Sequence, residues 1–254
     1  MKQSIRHQKI VELVKLNGYA STEELVALLN VSPQTIRRDL NELAENGLIR
    51  RHHGGAASPS TSENSDYADR KEFFSLEKNL IAQNVASMIP DGASLFVDIG
   101  TTPEAVANAL LHHKKLRIVT NNLNAAYILR QNESFDITVA GGALRQDGGV
   151  MGEATVAFLS QFRLDFGILG ISSIDIDGSL LDYDYHEVQV KRTILDNSRT
   201  KLLVSDHSKF SRHAIVRLGS VADVDYFFTD ALPPPPVMDV IARNNVELRI
   251  CPLK

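Results

Sequence analysis

The chain carries one cysteine and no tryptophan in 254 residues. Cys251 has no partner for an internal disulfide and no Cys or His neighbour at metal-ligand spacing, so it is expected to be a small buried residue rather than a nucleophile. Long apolar runs are also missing. None approaches the roughly 20 residues that span a bilayer, so a membrane role has no support in the sequence. The stretch from Met1 to Gly18 is polar and amphipathic where a signal peptide would have an apolar middle. A cytoplasmic protein is expected. Eight histidines are present, but none has ligand spacing, and the adjacent pairs His52-His53 and His112-His113 point apart along the chain. No metal and no cofactor is expected.

A strong excess of positive charge is lacking too. The 27 basic against 31 acidic residues leave a net charge of −4, which argues against a nucleic-acid partner until the charge is divided along the chain. Residues 1–57 hold eight basic side chains against six acidic ones, so the remainder is six negative. A mildly basic module joined to an acidic one fits a protein that touches phosphates with one end only. With 43% hydrophobic residues the chain can bury cores in two domains of unequal size. The expected division is a module over 1–57, a linker over 58–74 and a larger domain over 75–254. The segment 58–66 is small, polar and without periodicity, as a linker should be.

Within the first module, Ile10, Leu13 and Val14 fall at helical spacing and the pattern breaks at Asn17-Gly18. Ser21-Thr-Glu-Glu24 is a capping-box pattern before Leu25, Leu28 and Leu29. After a turn at Asn30-Val31, Ser32 can cap a third helix with Pro33 at its first position, running to a stop at Gly47. That helix turns Ile36, Leu40, Leu43 and Ala44 inward and presents Gln34, Arg37 and Asn41, flanked by Thr35 and Arg38. Arg can fork onto guanine, and Gln and Asn onto adenine, in a major groove that admits a helix. A polar helix face taken alone is more often merely solvated. Two features weigh against that here: the tight helix-turn-helix spacing, and the segment Leu48 to Ala57, which reads as two short strands around Gly54-Gly55. Such a wing would bring Arg50, Arg51, His52 and His53 to the phosphate backbone. The expected DNA-contacting set is therefore Ser32, Gln34, Thr35, Arg37, Arg38, Asn41, Arg50, Arg51, His52 and His53, on double-stranded operator DNA.

Beyond residue 74 the pattern alternates. Helices are expected at Glu77 to Ile89, Pro103 to Leu111, Leu123 to Leu129 and Val188 to Ile194. Strands are expected at Ser94 to Val97, Leu116 to Val119 and Ile137 to Ala140, with later apolar runs at 166–169, 202–204, 227–229 and 248–250. This alternation indicates an α/β fold with a mostly parallel sheet. Ligands of such sheets collect at the carboxyl ends of strands. Three turns there hold small polar residues or glycine: Asp98-Ile-Gly-Thr-Thr102, Thr120-Asn-Asn122 and Ala140-Gly-Gly142. In the first, Gly100 lets backbone approach and a helix start favours an anion; Thr102 could equally be only an N-cap. Arg145, Lys209 and Glu153 could add charge recognition, or could be surface residues. Pro233 to Pro236 reads as a short rigid spacer.

The string Ser32-Pro-Gln-Thr-Ile-Arg-Arg-Asp-Leu-Asn-Glu-Leu43, with Gly47-Leu48 and Arg51-His-His-Gly-Gly-Ala56, resembles the signature of the DeoR family of bacterial repressors. The resemblance continues through Asp98 to Ala107, Thr120 to Asn124, Gln161 to Ser172 and Asp206 to Phe210. It implies a winged helix-turn-helix followed by a sensor domain similar to ribose-5-phosphate isomerase, with phosphate held by the loop at Gly100, Thr101 and Thr102. Asp98, Asn121, Gly141 and Lys209 join that loop as effector-pocket candidates. It further implies a small phosphorylated metabolite as effector, sn-glycerol 3-phosphate in particular, and self-association, with a tetramer as the number suggested. Composition and spacing do not choose among small phosphates.

The competing reading is an isomerase with an appended DNA-binding module. Asp175, Asp177 and Glu187 are conceivable bases. The isomerases, however, carry an Asp-Gly-Ala-Asp type loop and a glycine-rich lysine loop, where this chain reads Gly170-Ile-Ser-Ser-Ile-Asp175. Asp175 to Gly178 reads as a turn, and Glu187 with Lys191 as an i, i+4 pair that supports a helix.

Overall fold

A computed structural model describes residues 2–17, 19–46, 48–52, 54–57, 67–72 and 74–252. Gly47, His53, the segment 58–66 and the side chain of His52 lie outside what it describes, and the expectations placed on them go with them.

Three helices form the first module, α1 (Gln3–Asn17), α2 (Thr22–Leu29) and α3 (Pro33–Glu45), packed over Ile10, Val14, Leu25, Ile36, Leu40 and Leu43. The caps are those the sequence encodes. The Glu24 amide donates to Ser21 Oγ at 3.1 Å while the Ser21 amide donates to Glu24 Oε2 at 2.7 Å; the Thr35 amide donates to Ser32 Oγ at 3.2 Å. The wing has three strands rather than two: β1 (Tyr19–Ser21), β2 (Arg50–His52) and β3 (Gly55–Ala57), in the order β1-β3-β2. β1 was too short to leave a periodic signal. Gly55, opposite Ser21, must be glycine, because a Cβ there would collide with the Ala20 carbonyl and the Tyr19 ring.

Inside the segment expected to be linker, residues 67–72 form a helix, α4 (Tyr67–Glu72), which lies against α1 and α6 (Thr101–Ala109). α5 (Ser75–Met88) follows. The core of the second domain is a seven-stranded parallel sheet of β4 (Ser94–Val97), β5 (Arg117–Thr120), β6 (Asp136–Val139), β9 (Leu164–Leu169), β12 (Ser198–Val204), β14 (Tyr226–Thr229) and β15 (Glu247–Ile250). Alternate strand residues face opposite layers. Leu95, Val97, Ile168 and Leu202 pack under α5, α6 and α7 (Leu123–Leu129). Phe96, Leu169, Leu203 and Phe227 pack under α8 (Glu153–Leu159), α9 (Tyr185–Asp196) and α10 (Pro235–Arg243). Burial on both faces explains why these strands read as continuous apolar runs. Smaller elements decorate the sheet: β7 (Ala143–Leu144) pairs with β8 (Val150–Met151), and β10 (Ser173–Ile174), β11 (Ser179–Asp182) and β13 (Val216–Ser220) form a second antiparallel sheet. Of the expected Pro233 to Pro236 spacer, Pro235 and Pro236 instead open α10, where proline lacks no hydrogen bond it would otherwise make.

The strand order β15-β14-β12-β9-β4-β5-β6 positions the site. The chain winds outward from β4 through β5 to β6, then returns to the other side of β4 with β9. The crevice between β4 and β9 is therefore the point where the winding reverses, and ligands of open α/β sheets bind at the carboxyl ends of such a pair.

Candidate DNA-reading face and effector cleft

On α3, Gln34, Arg37, Arg38 and Asn41 are exposed, as the helical spacing requires once Ile36, Leu40 and Leu43 are buried. Ser32 and Thr35 are occupied with each other, their hydroxyls 2.8 Å apart at the helix start. Arg50 is exposed on the wing. Arg51 is not free: its Nε donates to Asn41 Oδ1 at 3.0 Å and its Nη1 to the Gly55 carbonyl at 3.1 Å, so it braces the wing against α3. Asp39, on the inner side of α3 and 1% exposed, receives Arg6 Nε at 2.5 Å and Arg6 Nη2 at 2.9 Å from α1. Burial alone would raise the Asp39 carboxyl, but hydrogen bonds from Arg6 and His7 outweigh it and hold the group below its ordinary value. Asp39→Ala removes the buried carboxylate that Arg6 Nε and Nη2 hold, and a loss of about 3 kcal/mol in module stability is expected by denaturant titration. An unchanged midpoint would remove the pair from the account of what fixes α3.

At the switch point, Gly100, Thr101 and Thr102 after β4 face Gly170, Ile171 and Ser172 after β9 across a cleft. Gly100 has φ +127°, where an L side chain is strained. It is the N-cap of α6, which starts at Thr101 and has no side-chain cap, so the first-turn amides of this helix point at the cleft without a built-in acceptor. Thr102 is thus not the cap, and Pro103 is the third helical residue rather than the first. Two cations close the opening: Arg70 from α4 and Lys209 from the 3-10 turn His207–Ser211. Burial first, and then the like charge of Arg212, pushes the Lys209 ammonium well below the ordinary lysine range; Lys78 and Arg70 act in the same direction and Asp206 opposes them. Burial likewise brings Lys78 down to about 8. The free volume between these walls is about 30 Å³, roughly the share of one water.

Behind the cleft lies a buried ionic cluster. Lys191 of α9 reaches Asp182 at 2.7 Å, Glu187 at 2.8 Å and Asp98 at 3.6 Å. Glu187 also meets Arg145 at 2.7 Å, Arg145 meets Asp147 at 2.5 Å, and Asp147 meets Arg70 at 3.4 Å. Burial raises Asp98 to about 7 and Asp182 to about 6 despite the nearby lysine. Glu187 goes the other way: burial is outweighed by Lys191 and Arg145, and its carboxyl falls to about 2. Lys191 is held above its ordinary value because its three carboxylates together overcome burial.

The DeoR-like helix-turn-helix domain matches residues 6–62 and the DeoR C-terminal sensor domain matches residues 74–231. The chain belongs to the DeoR family. It is 72% identical to the glycerol-3-phosphate regulon repressor of Haemophilus influenzae over 99% of this chain and 98% of that one. It is 62% identical to the protein of the same name from Escherichia coli over 99% and 100%. The repressor CsqR of Escherichia coli is 42% identical over 96% and 94%. Among solved structures, a D-ribose-5-phosphate isomerase in complex with phospho-erythronic acid aligns over 52% of each chain at a TM-score of 0.40 and 14% identity, too distant for its chemistry to be carried over. The chain is a DeoR-type transcriptional repressor, and the isomerase reading is not favoured. In this DeoR chain Asp175 and Asp177 accept the amides of Ile176 and Ser179 in the turn between β10 and β11, so they serve that turn.

Among the expected effector residues, Gly100, Thr101, Thr102 and Lys209 line the cleft together. Asp98 sits at the end of β4 but is fully buried against Lys191. Asn121 and Gly141 follow β5 and β6, away from the switch point. Asn121 is buried and donates to the Val150 carbonyl at 3.3 Å, while the Gly141 carbonyl accepts from Thr155 at 2.9 Å. Neither lines the cleft. Glu153 is exposed at the start of α8, and Arg145 belongs to the ionic cluster. The Glu187 and Lys191 pair is more than a helix support, since both line the cleft. Sequence reasoning missed Arg70, Lys78 and Arg212. Lys78 had a signal: it stands on the same helical face as the buried Ile81, Ala82 and Val85, a place where lysine needs a reason. No helix of the described residues is long and apolar enough to cross a membrane.

Proposed function

We propose that the chain is a cytoplasmic, sequence-specific repressor of genes for glycerol and glycerol-3-phosphate metabolism, released from its operator by sn-glycerol 3-phosphate. Residues 1–57 read DNA through Gln34, Arg37, Arg38 and Asn41 in the major groove, with Arg50 on phosphate and Arg51 holding the wing to α3. Residues 75–254 sense the metabolite and self-associate, as a tetramer, and the segment 58–74 joins the two parts. One module spans few base pairs, so linked copies gain affinity through effective concentration.

The observation that carries the effector assignment is the meeting of Arg70 and Lys209 with the uncapped first turn of α6 across one cleft, with Arg212 and Lys78 close enough to depress Lys209 and Asp206 opposing them. Cations gathered at a helix start form a site for an anion, and a phosphoryl group supplies two charges and acceptors for the first-turn amides. The names of the two glycerol-3-phosphate regulon repressors supply the particular metabolite.

Calorimetric titration tests this. sn-Glycerol 3-phosphate is expected to bind and glycerol to give no heat, and Gly100→Ala to weaken the phosphate ester about tenfold, because alanine is strained at the φ the loop uses. Equal binding of glycerol and its phosphate, or none of either, would contradict the assignment.

A further inference from the structure

The cleft and the DNA-reading module meet in a single 3-10 turn. Lys209, which closes the cleft, lies two residues from His207, and His207 Nε2 lies 3.9 Å from Glu24 Oε1 on α2 of the DNA module. The imidazole is held firmly. Its Nδ1 lies 2.5 Å from Asp230 Oδ2, the His207 amide donates to Asp230 Oδ1 at 2.7 Å, and the Phe74 ring packs edge-on at 4.7 Å. Asp230 follows β14 directly and is nearly buried, so the anchor belongs to the rigid sheet. Glu24 is equally committed, since its other oxygen caps the start of α2 through the Ser21 amide. The groups around the imidazole are thus Asp230 from the sheet end, Glu24 from the DNA module, Asp206 one residue before it, and the Phe74 ring. The hydrogen bond to Asp230, then the neighbouring Glu24 carboxylate, raises the imidazole to about 10, so it is a cation between two carboxylates at neutral pH.

We infer that His207 is the positioning residue that fixes the DNA module on the sensor domain through Glu24, and that an anion entering the cleft breaks this contact by displacing the turn. The inference rests on the effector reading above. The cleft has about 30 Å³ free, so a phosphate ester must part its walls, and Lys209 is one of them. The turn is one hydrogen-bonded unit, since Asp206 accepts the Ser208 amide through its side chain and the Lys209 amide through its carbonyl, so displacing Lys209 tilts the His207 ring about its Asp230 anchor and draws Nε2 away from Glu24. A module fixed in orientation loses less freedom when paired copies engage two half-sites, so the contact favours operator binding. Its loss lowers operator affinity without touching a base contact.

A double-mutant cycle on the full chain tests the contact without effector. Glu24→Gln retains the capping box, in which glutamine substitutes for glutamate, and His207→Gln retains a hydrogen-bonding side chain. Each is expected to weaken operator binding in fluorescence anisotropy by roughly fivefold, the scale of a partly exposed ion pair, with the double variant no worse than the worse single one. Removing an acidic side chain near DNA would by itself strengthen binding, so the sign separates the two explanations. Additive losses, or tighter binding by Glu24→Gln, would overturn the inference. A second arm titrates each variant with sn-glycerol 3-phosphate in the calorimeter. Linkage requires an uncoupled chain to bind it more tightly than wild type, whereas simple damage to the cleft gives weaker binding and overturns the coupling. If wild type itself ignores sn-glycerol 3-phosphate, the effector reading fails and the cycle without effector still decides the contact.

Discussion

Lys191→Met is expected to lower the stability of the sensor domain by about 4 kcal/mol at pH 7, a large share of what holds a domain of this size. The reason is arithmetic in charges. Lys191 is 2% exposed and is the cation within ion-pair distance of Asp98, Asp182 and Glu187, all three buried. Methionine fills similar space but leaves three carboxyl groups facing one another, with Arg145 reaching only Glu187 among them. Taking a cation away from buried acids costs far more than never having buried the set. The pH dependence carries the same signature. Asp98 and Asp182, already raised by burial, rise further once freed from Lys191, so the folded variant binds protons more tightly than the unfolded chain. Its stability therefore falls as pH rises from about 4 toward 7, and acidification partly restores it. Thermal melts of wild type and variant at pH 5 and pH 7.5 measure this. A variant that melts like wild type at both values would show that the cluster is not held by Lys191.

The second large effect concerns DNA. Arg37→Ala is expected to cost between tenfold and a hundredfold in affinity for the operator and little for random sequence, the loss of one forked contact with a base. Arg37 is exposed on α3 in the row with Gln34 and Asn41, and it lines the groove that α2, α3 and the wing form. Arg50→Ala, by contrast, is expected to weaken both DNAs alike and to flatten the salt dependence by about one counterion. Anisotropy titrations at two salt concentrations separate these outcomes. Equal losses on both DNAs for Arg37→Ala would move it from base reading to phosphate contact.

The DNA module was legible because its signals are local. Ser21 with Glu24, and Ser32 with Pro33, name two helix starts within a few residues, and the structure realises both caps. What escaped there was nonlocal: β1, three residues paired with a strand 36 positions away, and the Arg6 to Asp39 pair between helices. In the sensor domain the strand and helix alternation was readable, but strand order was not, since it depends on which side of β4 the chain returns to. That order decides which turns share a crevice. It unites the Gly100 turn with Gly170 to Ser172 and leaves Asn121 and Gly141 on the far side. α4 escaped because six residues beside an aperiodic polar stretch carry no pattern, and Arg70 escaped with it. Helix limits moved for a similar reason: Pro103 signalled a first position, while Gly100, free to adopt φ +127°, let α6 start at Thr101.

Fluorescence anisotropy of a labelled operator fragment from a glycerol-regulon promoter, with random DNA as control, tests the central claim most directly. The account predicts tight binding to the operator alone, reversed by sn-glycerol 3-phosphate and unaffected by glycerol. Operator binding that neither compound alters, or that both alter equally, would contradict it.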